Sequence, residues 1–127
     1  MDAKGVITRS SPYTVKETIE RLQTFLQQKG VTIYARIDQQ AEANNAGYKL
    51  LPLEYLLFGN PKAGGAIMAA NPVAALDLPL KVIAWEDEQQ KVWIAFNDPA
   101  YIQKRYALPD GVIAPLNLAP IVTQVLQ

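Results

Sequence analysis

Three strand-like segments between residues 53 and 97 are apolar on both faces, and this limits the possible folds more than any other feature. In Leu53-Glu54-Tyr55-Leu56-Leu57-Phe58, Leu53, Tyr55 and Leu57 alternate against Leu56 and Phe58. Likewise Val82 and Ala84 alternate against Ile83 and Trp85, and Val92, Ile94 and Phe96 against Trp93 and Ala95. Successive side chains of a strand point to opposite faces, so a sheet built from these segments offers apolar surface on both sides. An antiparallel sheet covered by helices on one side is expected to be polar on the other. Two arrangements satisfy the pattern: helical excursions cover both faces, or a second copy of the chain covers one. Twofold dimers are the commonest assemblies, so a homodimer is the expectation.

The elements before and after these strands carry clear punctuation. Gly5 to Ser10 is rich in β-branched residues and is broken at Ser11-Pro12, which predicts a first strand. Thr14 and Glu17 form a capping box, and Val15, Ile19, Leu22, Phe25 and Leu26 recur at helical spacing until Gly30. Val31, Ile33, Ala35 and Ile37 alternate with Thr32, Tyr34, Arg36 and Asp38, predicting a second strand whose polar face points outward. Asp38 caps a short helix over Gln39 to Ala46 that Gly47 ends. Gly59-Asn60-Pro61 closes the third strand, a small helix occupies residues 63 to 70, and Val73 to Leu76 add a turn after Asn71-Pro72. Leu80 to Asp87 and Lys91 to Asn97 form a hairpin around a turn, Asp87-Glu88-Gln89-Gln90, that reads as a solvated loop. Asp98-Pro99 opens a helix through Ala107, ended by Leu108-Pro109-Asp110-Gly111, and a last helix covers Asn117 to Leu126. The order predicts one domain over residues 1–127 and an α+β two-layer sandwich, with a mixed sheet of five strands and helices mainly on one face.

Composition removes whole classes of chemistry. The 127 residues include no histidine and no cysteine, which excludes imidazole-dependent hydrolases, thiol redox chemistry, disulfides and His/Cys metal ligation. Carboxylate, amine, hydroxyl and backbone groups remain, and no cofactor is expected. Twelve basic residues balance twelve acidic ones, so no electrostatic footprint points to nucleic acid. No apolar run approaches the ~18 residues of a membrane span. Met1-Asp2-Ala3-Lys4 lacks the pattern of a secretory leader, and a cytoplasmic location is the expectation.

A longer pattern runs through the middle of the chain. It comprises Phe58-Gly59-Asn60-Pro61-Lys62-Ala63-Gly64, Asn71-Pro72-Val73-Ala74-Ala75-Leu76-Asp77-Leu78-Pro79-Leu80-Lys81, Trp85-Glu86-Asp87 and Asn97-Asp98-Pro99. In order and spacing it resembles the domain of unknown function 302 family, and the helix ending at Gly30 and Ala35-Arg36-Ile37-Asp38 extend the match over nearly the whole chain. The resemblance implies a β-α-β(4)-α arrangement similar to TATA-box-binding-protein-like folds, commonly seen as a homodimer, without implying nucleic-acid binding. It brings no established activity. Gln39 and Tyr106 stand where that family frequently has histidine, and Gly65, Ala66 and Ala69 where it frequently has threonine, proline and glutamine.

Three groups of residues are candidates for function. Asn60, Lys62, Gly64 and Gly65 lie in a glycine-containing loop between a strand and a helix, where backbone N–H groups and the Lys62 amine suit a phosphate or carboxylate. The Lys-Ser/Thr pair of a nucleotide-binding loop is missing, and a tight turn is the simpler reading. Asp77 and Asp98, with Glu54 and Glu86, are carboxylates that Lys81 or Lys62 could assist in acid/base work, although both aspartates also suit turns and caps. Trp85 and Trp93, on adjacent strands, line a ligand pocket, anchor a subunit interface or pack in the core. The expected function is therefore a non-catalytic homodimeric domain that binds a small anionic or amphipathic ligand near Asn60 to Gly65. A hydrolase or isomerase and a purely structural association module are the alternatives.

Overall fold

A computed structural model describes residues 3–127. Met1 and Asp2, on which the expectation of no leader partly rested, lie outside the described residues. The elements follow in the order β1 (Val6–Ser11), α1 (Val15–Gln28), β2 (Thr32–Asp38), α2 (Gln39–Asn45), β3 (Leu53–Gly59) and α3 (Pro61–Ala70). A 3-10 turn over Pro72–Asp77 leads to β4 (Leu80–Glu86), β5 (Val92–Asn97) and α4 (Pro99–Tyr106). Two further 3-10 turns precede α5 (Ala119–Val125). The α+β two-layer fold is the expected one.

The sheet has five strands in the order β1-β5-β4-β3-β2, and every neighbouring pair is antiparallel. The mixed sheet expected from the strand-helix-strand opening is thereby corrected. β1 and β2 occupy opposite edges with α1 carrying the chain between them, and the neighbours β2/β3 and β3/β4 are antiparallel although helices connect them.

Four helix starts are fixed by side chains that accept a backbone N–H left open by the first turn. Thr14 accepts from Glu17, Asp38 from Ala41, Asn60 from Lys62 and Asp98 from Ala100. The apolar stripe of α1 (Val15, Ile19, Leu22, Leu26) and α5 (Val122, Val125) bury Leu56, Phe58, Val82, Ala84, Val92, Ile94 and Phe96 of the sheet. A second cluster, Ile67, Ala74, Ile102, Tyr106, Leu108 and Leu116, gathers α3, α4 and the 3-10 turns. Those elements all leave from the end of the sheet where β3 and β5 finish and β4 begins, and Leu80 packs against both clusters. At this end Gly5, with φ +76°, has no room for a side chain, because a Cβ would run into the Tyr101 ring.

The other face of the sheet carries the second apolar set. Register places Tyr55 beside Ile83 and Ile83 beside Ala95, with Leu53, Trp85 and Trp93 in the adjoining row. None of these residues belongs to either core cluster, and all but Ala95 remain partly exposed.

β2 departs from the alternation read in its sequence. The register shifts between Ile33 and Ala35, so Tyr34 is the extra residue of a bulge. Past the bulge the two faces exchange. Ala35 and Ile37 join Leu57 and Tyr55 on the face away from α1, and Arg36 pairs with Leu56 on the α1 side. There its guanidinium meets Glu54, 8% exposed, at 3.0 Å and Glu20 at 3.2 Å, with Gln23 Oε1 also at 3.2 Å. The expected outward polar face of β2 thus holds only for its first residues.

Candidate functional site

The site is built where the two apolar clusters fail to close on each other. β3 ends at Gly59, and Asn60-Pro61 starts α3: the Asn60 carbonyl accepts from Gly64 N–H and its side-chain oxygen accepts from Lys62 N–H, each at 2.9 Å. This directs α3 away from the sheet and leaves a cavity of about 280 Å³ beneath its first turns. Leu26 and Val31 at the end of α1, Tyr34 from the bulge, and Phe58-Gly59 form one side. Asn60, Pro61, Ala63, Gly64 and Met68 form another, and Leu78-Pro79-Leu80 with Pro115, Leu116, Leu118 and Ile121 complete it. The Leu78-Pro79 peptide bond is cis. No charged residue lines the cavity.

The residues singled out in the sequence do not meet in one place. Asn60 and Gly64 line the cavity, Lys62 is exposed on α3, and Gly65 is the next residue along the helix. Pro61 has no N–H and the Lys62 N–H is already taken by Asn60, so the helix start offers an anion fewer donors than the loop sequence suggested. Trp85 lies on the sheet face away from α1, five residues along β4 from Leu80, or roughly 17 Å at strand spacing. It is the cross-strand partner of Trp93.

The carboxylates are each engaged separately. Asp77 accepts from the Tyr106 hydroxyl and from Arg105 Nη1 at 2.9 Å, tying the 3-10 turn to α4. The Asp77 carboxylate holds the Tyr106 hydroxyl protonated to a higher pH than an ordinary tyrosine, with burial acting in the same direction. Asn71 strengthens this junction: its amide donates to the Tyr106 carbonyl at 2.9 Å and its oxygen accepts from Val73 N–H. Asp98 is the α4 cap. Lys81 is half-buried on the face away from α1, beside Asn97 and Leu57, and forms no ion pair among the described residues. Among the described residues no three acidic side chains are grouped to hold a metal.

Asp87 does more than its solvated turn suggested. It accepts from Gln89 N–H, Lys91 N–H and the Trp93 indole at 3.0, 2.9 and 2.9 Å. The indole hydrogen bond is the main reason its carboxyl titrates below the ordinary aspartate value. Sequence reasoning also missed the aliphatic cavity wall, whose residues come from five separated segments, and Tyr34, which stood on the polar side of an apparent alternation.

The sequence model of the family described as "Domain of unknown function DUF302" matches residues 7–119. The chain belongs to the DUF302 family. A solved DUF302 protein from Bacillus stearothermophilus, described as an uncharacterized conserved protein, has the same fold: TM-score 0.79 at 18% identity, covering 98% of this chain and 97% of that one. Over 119 residues the DUF302 chain is 38% identical to "Fluoride-specific ion channel FluC 1" of Brucella suis biovar 1 (strain 1330), covering 94% of this chain and 46% of that protein. It is equally similar to FluC 1 of Brucella abortus biovar 1 (strain 9-941), of which it covers 43%. The chain thus spans less than half the length of these curated relatives. No helix among the described residues is long and apolar enough to cross a membrane.

Proposed function

We propose that this DUF302 domain is a non-catalytic, homodimeric binding module that takes a small amphipathic molecule in the cavity beneath α3. The single observation that carries the reading is the cavity itself, about 280 Å³ between the two apolar clusters and without a charged wall residue. Small-molecule sites are concave, mainly apolar and roughly 300 Å³ or larger, so this one suits a ligand at the small end of that range. Asn60 and Gly64 contribute to the wall, while Lys62 stands outside it as the group nearest in sequence for an anionic head. Asp77 is engaged by Arg105 and Tyr106, Asp98 caps α4, and Lys81 forms no ion pair among the described residues, which favours binding over acid/base catalysis, where paired groups act within hydrogen-bond reach of one another or of one substrate. Channel activity stays with the longer relatives that bear that name.

The dimer part of the proposal rests on the sheet face carrying Leu53, Tyr55, Ile83, Trp85 and Trp93. A second copy seated on it twofold would remove aromatic and aliphatic surface from water on both chains at once.

Thermal-shift screening with amphipathic, apolar and anionic compounds tests the binding. A ligand at ~100 times its Kd stabilises by about 2.7 kcal/mol, a Tm rise of several degrees. Filling the cavity by Ala63→Phe is expected to abolish that rise. Stabilisation that survives Ala63→Phe but vanishes in Lys62→Ala would move the site to the exposed first turn of α3, and the absence of any stabilising compound would refute the proposal.

A further inference from the structure

We infer that the occupant of the cavity is a single-tailed aliphatic amphiphile, its tail enclosed between the two clusters and its polar head left at the mouth. This rests on the binding role proposed above and names the class of ligand.

The wall chemistry selects the tail. Leu26, Met68, Leu78, Leu116 and Ile121 surround the space with hydrocarbon, and Phe58 is one of only two aromatic residues among the lining. Among the described residues no buried side-chain nitrogen or oxygen lacks a hydrogen-bond partner. The polar side chains of the wall, Tyr34 and Asn60, are exposed at its rim, so a sugar hydroxyl or a ring nitrogen carried deeper inside meets no polar side chain and forfeits its water without replacement, roughly tenfold in affinity. A methylene loses nothing polar and gains about fourfold.

Size selects one short tail. At about 280 Å³ the space stands at the lower limit of small-molecule sites, which favours one short tail over a nucleotide or a two-tailed lipid. The mouth sets where the head stays. Tyr34, 48% exposed, and Met68, 39% exposed, are wall residues that also reach solvent, and Asn60 is exposed beside them. A head group at that rim keeps its hydration while the tail displaces water from the seam between the clusters.

Isothermal titration of the full chain with hexanoate, octanoate, decanoate and dodecanoate, each below its micelle concentration, tests the inference. Affinity is expected to climb about fourfold per methylene to octanoate or decanoate and to fall at dodecanoate. Decanol should bind much as decanoate does, because the tail carries the interaction. Ala63→Phe should weaken decanoate at least tenfold with the far-UV circular dichroism unchanged; if that variant does not fold, Met68→Trp narrows the mouth from the solvent side and should weaken decanoate in the same sense. Affinity independent of chain length, or undiminished in the folded variant, overturns the inference. A ring compound or polar metabolite that binds and is blocked by Ala63→Phe, when no alkyl carboxylate is, overturns the tail but leaves the cavity as a binding site. Failure of every probe overturns both.

Discussion

Arg36 shows how one inserted residue redirects a side chain. Strict alternation places it on the outward face with Thr32 and Tyr34, yet the bulge at Tyr34 turns it beneath α1, where it meets Glu54 and Glu20. Alternation could not reveal this, since Ala35 and Ile37 are apolar enough for either face. Removing one partner of an enclosed ion pair strands the other, so Arg36→Ala is expected to destabilise by about 3 kcal/mol in urea denaturation. A loss under ~1 kcal/mol would mean that the pair behaves like a surface bridge. Gln39 and Tyr106, the two positions at which the family resemblance leads to an expectation of histidine, are equally informative. Tyr106 is bound to Asp77 at the α4 end of the sheet, whereas Gln39 begins α2, which leaves from the end where β2 finishes. They share no site in this chain.

The helix starts at Thr14, Asp38 and Asp98 were legible because each is written locally, whereas α3, expected from residue 63, begins at Pro61 because Asn60 acts as its cap. One helix end was not legible. α4 stops at Tyr106 because Ala107 adopts φ 51°, and the Leu108-Pro109-Asp110-Gly111 breaker only follows it. A left-handed residue there suits glycine, and alanine bears a steric cost of ~1 kcal/mol. Ala107→Gly should stabilise the protein by about that amount, read as a rise in Tm; a lower Tm would show that the alanine methyl is needed in packing. The strand count and the two-faced apolar pattern were also legible, but strand order was not. Which strands become neighbours depends on contacts between distant segments, and a strand-helix-strand opening fits both a parallel pair and two opposite edges. The cavity escaped for the same reason: Val31, Met68, Pro79 and Ile121 meet only after the chain has folded.

For the whole molecule, the sequence posed a choice between helical cover on both faces and cover by a second copy. α1 and α5 belong to one face, and the second cluster collects at the strand ends, so Ile83, Trp85 and Trp93 still present a half-exposed surface. Light scattering at micromolar concentration should give twice the chain mass, and Ile83→Arg should reduce it to one chain while leaving the far-UV circular dichroism intact. A monomeric wild type would end the dimer proposal.

The pairing of β1 with β5 carries a consequence for synthesis. Val6–Ser11 leaves the ribosome well before Val92–Asn97, its hydrogen-bonded neighbour in the sheet among the described residues. Until those residues emerge, β1 has no ladder to join, and α1 has only part of the surface on which it finally lies. Contacts of such long sequence separation form late and slowly. The domain is thus assembled as a unit after translation of its last hairpin, and a growing chain stopped before Val92 holds its own first strand unpaired.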